Sequence, residues 1–167
     1  TPIQAREDLT ERFRQKPRTN QKNAKYAAMV YSLDQAMGRL LDALEETGRA
    51  DDTLVIFTSD NGGLLGPTDN APLRDGKGSP YEGGIRVPLL VRWPGVVPAG
   101  SVSDEPVISM DFLPTILEVT GAPMPDVALD GESLVAHLAS GAEEPLERDA
   151  LYWHYPHYRY NHWVPYS

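Results

Sequence analysis

Apolar positions fall at helical spacing along one long stretch of this chain. Tyr26, Met29, Val30, Leu33, Met37, Leu40, Leu41 and Leu44 recur at intervals of three and four, and Gly48 follows as a left-handed stop. The spacing predicts a helix of about six turns over residues 24–48, with its stripe packed against a sheet. Upstream, the polar segment 1–23 is interrupted by Pro2 and Pro17 and predicts a short helix over residues 7–14 followed by a loop. Downstream, Thr53-Leu54-Val55-Ile56-Phe57 is apolar without alternation, the pattern of a strand buried on both faces of a parallel sheet. Residues 87–93 form a second such run, closed by Pro94-Gly95. A long helix, a short connection and an apolar strand make half of a βαβ unit, which predicts a parallel sheet around residues 54–57.

The remaining pattern is shorter. Residues 96–105 read as a surface loop and 106–108 as a brief extended run. Residues 111–119 predict a helix with Pro114 in its first turn and Gly121 as its stop. A short helix follows over 132–139, ending at Gly141. From Ala150 the composition turns abruptly aromatic, ALYWHYPHYRYNHWVPYS, and reads as the first strand of a further subdomain.

Composition narrows the classes. A chain of 167 residues with 41% hydrophobic content can bury one sizeable core. The net charge of −9, with both signs interspersed, argues against a nucleic-acid surface. With no cysteine there is neither a disulfide framework nor a thiolate metal site. No apolar run approaches the roughly 20 residues of a membrane span, and Thr1-Pro2-Ile3-Gln4 is not a signal peptide.

Candidate chemistry gathers between the two apolar runs. Asp60 and Asn61, just past the first predicted strand, offer a carboxylate and an amide oxygen suited to a hard cation such as Ca²⁺ or Mg²⁺. The same residues also fit a plain Asn-Gly hairpin turn at Asn61-Gly62. Lys77, set in Gly76-Lys77-Gly78, can meet an anionic oxygen as a point charge, or can be a solvated loop lysine. The surrounding residues do not match a P-loop. Glu82 and Arg86 bracket Gly83-Gly84 and predict a partly buried structural ion pair. His137 reads as a packed or solvated histidine. His154 and His157, in Trp153-His154-Tyr155-Pro156-His157-Tyr158, are candidates for an anion- and sugar-contacting edge.

These motifs carry a resemblance. Thr58-Ser59-Asp60-Asn61-Gly62, then Gly76-Lys77-Gly78-Ser79-Pro80-Tyr81-Glu82-Gly83-Gly84-Ile85-Arg86-Val87-Pro88, then Arg92-Trp93-Pro94-Gly95, resemble the C-terminal half of a type I, arylsulfatase-like sulfatase of the alkaline phosphatase superfamily. Met110-Asp111-Phe112-Leu113-Pro114-Thr115-Ile116-Leu117 and Leu129-Asp130-Gly131-Glu132-Ser133-Leu134 match two further motifs in register. The resemblance implies an α/β fold: an alkaline-phosphatase-like sandwich of a mainly parallel sheet flanked by helices, incomplete at both ends here. Residues 1–149 would belong to the sulfatase α/β domain and 150–167 would begin a C-terminal subdomain. Asp60 and Asn61 would be metal ligands, usually of Ca²⁺, and Lys77 would hold a sulfate oxygen of a sulfated small molecule or glycan. His154 and His157 would lie near the pocket mouth as substrate contacts. The implied setting is secreted, periplasmic or lysosomal.

The family's reaction is sulfate-ester hydrolysis by a formylglycine hydrate, with metal and lysine stabilising charge on the sulfuryl oxygens. Its C/S-x-P-x-R nucleophile motif is absent from this chain, as is the histidine expected just before Thr1. The expected partner is therefore a missing N-terminal half of the same enzyme, with the fragment inactive alone and its 62–84 loop mobile. A related phosphodiester or phosphonate monoester hydrolase and a non-catalytic binding domain stand as alternatives.

Overall fold

The computed structural model describes residues 3–17 and 21–155. They divide into two compact units. The first holds the described residues up to Ala50, then Ile56–Leu90 and the pair His154 and Tyr155; the second holds Asp51–Val55 and Val91–Trp153.

In the first unit, helix α1 (Glu7–Arg14) lies against α2 (Ala24–Glu46). Thr10 of α1 and Ala28 of α2 are both fully buried, and the Thr10 hydroxyl donates to the Arg6 carbonyl at 2.9 Å, so no polar group is stranded. Phe13 and Tyr31 meet edge-on at 5.8 Å, with the Arg12 guanidinium 4.6 Å from the Tyr31 ring centroid. Asn23 caps α2 by accepting from the Tyr26 amide at 3.1 Å. At the other end Gly48 takes φ +65° while the Arg49 amide reaches back to the Leu44 carbonyl. The helical period is therefore realised with both of its ends specified locally.

The burial expected of the α2 stripe is not. Met29, Val30, Leu33 and Leu40 are exposed, Leu33 by 50%. Among the described residues α1 is the element packed on α2, and Ala28 is the buried residue of α2. Periodicity dictates which side chains share a face and leaves open what covers it. The strands differ from expectation for a related reason. β1 (Val55–Thr58) and β2 (Leu89–Arg92) pair as a two-stranded sheet, shorter than the apolar runs that announced them. None of their residues is fully buried, and Leu90 is 58% exposed. With two strands among the described residues each strand is an edge, so neither has two covered faces. Helix α3 (Glu82–Ile85) is a single turn ahead of β2.

The second unit is built around one carboxylate. A 3₁₀ turn (Ser109–Asp111) leads into α4 (Phe112–Thr120), which stops at Gly121 with φ +67°, and α5 (Val135–Ala139) packs against it. Asp111 is completely buried. Its Oδ1 accepts from the Glu132 amide at 3.0 Å and its Oδ2 from the Ile108 amide at 2.8 Å, while the Arg148 guanidinium grips both oxygens. Arg148 also donates to the Pro106 carbonyl at 2.9 Å. Thr115, equally buried, donates to the Asp111 carbonyl and accepts from the Leu134 amide at 2.9 Å. A Cβ at Gly131 would collide with the Met110 carbonyl. The two motifs at Asp111 and Gly131 thus form the two sides of a single buried joint.

His137 is the packed histidine expected of it, with both ring nitrogens engaged. Nδ1 faces the Glu144 carbonyl, which can only accept, so Nδ1 carries the hydrogen; Nε2 stands 2.8 Å from the Ser103 hydroxyl. Residues 151–155 form no strand, and the rest of the aromatic tail, with His157 and His162, lies outside the described residues.

Burial pushes the Asp111 carboxyl upward, but the Arg148 guanidinium and the two amide donors outweigh it and hold the group below its ordinary value. A carboxyl held low in the folded state stabilises the fold above the ordinary carboxylate range, near about pH 4, and that contribution is lost as pH falls through the folded-state value. Arg148→Ala should therefore destabilise the second unit by about 3 kcal/mol at pH 7, because it strands a buried carboxylate. In urea titrations the difference from the parent should shrink as pH falls below about 4 toward the lowered folded-state value of Asp111, at which the carboxyl of the parent becomes neutral; a pH-independent difference would contradict this account.

Candidate active site

Strand β1 delivers the chain to the site. The Thr58 hydroxyl donates to the Pro88 carbonyl at 2.9 Å, tying the exit of β1 to the entry of β2. The Ser59 hydroxyl then donates to the Asn61 carbonyl at 2.9 Å and bends the chain, leaving Asp60 exposed and Asn61 half-buried two and three residues beyond the strand.

The Asn-Gly pair does not make a hairpin. Gly62 is buried, and its amide donates to the Gly84 carbonyl at 2.9 Å, twenty-two residues away. Nor does it adopt the positive φ that the commonest hairpin turn requires. What the position demands is the absence of a side chain: a Cβ at Gly62 would fall on the Gly83 carbonyl, and one at Gly83 on the carbonyls of Arg74 and Asp75. The strand exit, the lysine loop and α3 are therefore in backbone contact at one point.

Lys77 stands on the same knot. Its amide donates to the Gly63 carbonyl at 2.9 Å, its side chain is exposed, and Gly76 beside it is buried. The Gly83 amide returns to the Arg74 carbonyl at 2.8 Å. Within this loop the Arg74 guanidinium lies 3.6 Å from the centroid of the Tyr81 ring. Residues 62–84 are cross-laced by their own amides, because glycines allow the backbone segments to touch.

Asn70 is the residue that sequence reasoning missed. Its amide nitrogen donates to the Gly63 carbonyl at 2.9 Å and the Asp75 carbonyl at 3.0 Å, and lies 3.4 Å from the Gly83 carbonyl. Nothing local distinguishes it, since its acceptors are five to thirteen residues away. Glu82 and Arg86 do pair, at 3.2 Å, but their side chains are 61% and 67% exposed, so the pair is a surface one and not the partly buried one expected. One helical turn sets the two side chains side by side in solvent, where such a pair contributes little. His154 is exposed at the end of the described chain, and His157 lies outside it, so a two-histidine edge is not described.

Asp60 and Asn61 offer oxygen donors of the kind a hard cation takes, and fall short in number, since Ca²⁺ takes six to eight oxygens. Among the described residues no three His, Cys, Asp or Glu side chains group closely enough to hold a metal ion. The donor pair fits part of a site. The shallow groove of the second unit, lined by Pro114, Leu117, Ala122 and Met124, is mostly apolar and holds none of the candidate residues.

Comparison with known proteins follows the same residues. The sulfatase family model matches residues 1–122. A sulfatase of Formosa agariphila is 42% identical over 93% of this chain and 31% of its own length, and human steryl-sulfatase is 38% identical over 78% of this chain and 24% of its own. Among solved structures, Ps i-CgsB in complex with k-i-k-neocarrahexaose superimposes with a TM-score of 0.76 at 38% identity, covering 84% of this chain and 31% of that one. BT4656 in complex with its substrate D-glucosamine-2-N,6-O-disulfate gives 0.69 at 35%, covering 83% and 27%. The phosphonate monoester hydrolase of Silicibacter pomeroyi gives 0.62 at 36%, covering 75% and 23%. The chain thus spans about a third or less of the length of these proteins, with the alkaline-phosphatase-like α/β fold they share, and it belongs to the sulfatase family.

Proposed function

We propose that this chain supplies the cation- and anion-binding part of a sulfuric ester hydrolase acting on a sulfated small molecule or glycan. The observation that carries the reading is the backbone knot at the end of β1. Gly62 bonded to Gly84, and Lys77 bonded to Gly63, bring the segments that carry an acidic-amide pair and a lysine into backbone contact. Asp60 and Asn61 would hold a divalent cation, Ca²⁺ or alternatively Mg²⁺, which when bound supplies Lewis-acid charge against an anionic substrate. The Lys77 ammonium would bind a sulfate oxygen and orient the ester, and its glycine neighbours leave room for the ligand to approach. The formylglycine nucleophile, further metal ligands and the active-site histidine would come from the rest of a longer polypeptide. The exposed apolar stripe of α2 supports such a partner, since a contiguous bare stripe marks a surface that something covers. His154 is a substrate-contact candidate beside this machinery, and His157 another. A sulfated sugar as substrate rests on the likeness to BT4656, and a secreted, periplasmic or lysosomal setting on family membership.

The likeness to a phosphonate monoester hydrolase favours one second reading, hydrolysis of a phosphonate or phosphodiester by the same cation and lysine. The ratio of kcat/KM for an aryl sulfate to that for an aryl phosphonate decides between the two.

The purified chain should turn over neither ester, because it lacks a nucleophile. In the longer polypeptide Lys77→Ala should lower kcat/KM for a chromogenic aryl sulfate by about 10²–10³-fold, as removal of one preorganised positive group does elsewhere. Aryl sulfate turnover by the chain alone, abolished by Lys77→Ala, would sink the proposal of a divided site. Calorimetric titration should show Ca²⁺ binding to the isolated chain no tighter than about 10⁻⁴ M, since two protein oxygens leave the rest of the shell to water. Sub-micromolar affinity that disappears in Asp60→Ala would mean that the chain holds a complete metal site.

A further inference from the structure

The geometry points to Asn70 as the positioning residue that couples the Asp60-Asn61 pair to Lys77; this inference rests on the function proposed above and deepens it. Three backbone carbonyls converge on its side-chain nitrogen. Gly63 follows the acidic-amide pair, Asp75 precedes the lysine, and Gly83 belongs to α3. The Gly63 carbonyl is shared, since it also receives the Lys77 amide at 2.9 Å. A single amide group therefore stands between the segment that carries the oxygen donors and the segment that carries the ammonium.

The orientation of the side chain follows from chemistry. Three carbonyl oxygens can be served only by a donor, so the NH₂ faces them, and the reversed amide would set oxygen against three oxygens. Two N–H hydrogens are divided among the acceptors, with the 3.4 Å contact the weakest. Asn70 is packed into place from both sides: a Cβ at Gly63 would strike its Oδ1, and a Cβ at Gly76 would crowd its Nδ2. Asparagine suits the position by length and by its two hydrogens. Alanine offers no donor, and aspartate offers a carboxylate to three carbonyls, which is repulsive.

Asn70 itself need touch neither cation nor sulfate. Its role is to hold Lys77 in register with Asp60 and Asn61, so that one anionic group can meet both at once. Small displacements between such groups weaken catalysis because preorganised charge acts through fixed geometry.

A double-mutant cycle in the longer polypeptide tests the coupling. Lys77→Ala, Asn70→Ala and the double variant are compared by kcat/KM for an aryl sulfate. Asn70→Ala should lower kcat/KM by about tenfold in the parent and by less than about threefold when Lys77 is already gone, the non-additivity of residues that act as a unit. Asn70→Asp should lose more than Asn70→Ala. In the 167-residue chain, Asn70→Ala should speed hydrogen exchange at the amides of Lys77 and Gly83 while leaving α1 and α2 unchanged. If Asn70→Ala fails to fold, Asn70→Ser, which keeps one donor, carries the same cycle. A full loss from Lys77→Ala with the Asn70 effect undiminished in its background overturns the inference alone. No loss from Lys77→Ala overturns the proposed function, and this inference with it.

Discussion

A carbonyl oxygen standing where a side chain would begin is the constraint on which the candidate site depends. The Gly83 carbonyl occupies the place of a Cβ at Gly62, and the Gly62 amide then reaches the Gly84 carbonyl at 2.9 Å. Close approach of this kind is available only between backbones, and it replaces the loose packing of side chains with hydrogen bonds of defined direction. That contact fixes the backbone immediately after Asp60 and Asn61 at the end of β1. The lysine loop is closed over the same point by the Lys77 amide on Gly63. A site for anionic chemistry gains from such rigidity, because charge held in advance need not reorganise as the reaction proceeds.

The second unit solves a different problem with a different device. A completely buried carboxylate is tolerated at Asp111 only because two amides and a two-pronged guanidinium satisfy it. The result ties a 3₁₀ turn, the segment at Glu132 and the distant Arg148 together. Of the motifs that carry the family resemblance, those at Asp111 and Gly131 prove to be architecture. They meet each other through Asp111, Thr115 and Gly131, whereas the side chains of Asp60 and Lys77 are exposed. The same family signature therefore contains both scaffold and candidate machinery, and only contacts separate them.

The apolar stripe of α2 and the narrow two-stranded sheet are consistent with the chain's spanning about a third or less of the length of its relatives. Hydrophobic surface is removed from water by whatever lies against it, and a pattern of residues is indifferent to whether that material belongs to the same segment.

Local order was legible in the sequence because its causes are local. The spacing of apolar residues, Gly48 after α2, and Pro114 and Gly121 in and after α4 each act within a turn or two of chain. The motifs at Asp60, Asn61 and Lys77 were also visible, as residue types whose charge and oxygen donors suit an anion and a hard cation. Tertiary structure decided what lay beyond that range. It turned Asn61-Gly62 from a hairpin signal into a long-range clasp, left the Glu82 and Arg86 pair on the surface, and bared half of the α2 stripe. It also gave Asn70 and Arg148 their importance, through acceptors up to 13 residues away for one and 37 or more for the other. A hydrogen bond across such a distance depends on where the chain returns, and composition and periodicity carry no term for that return.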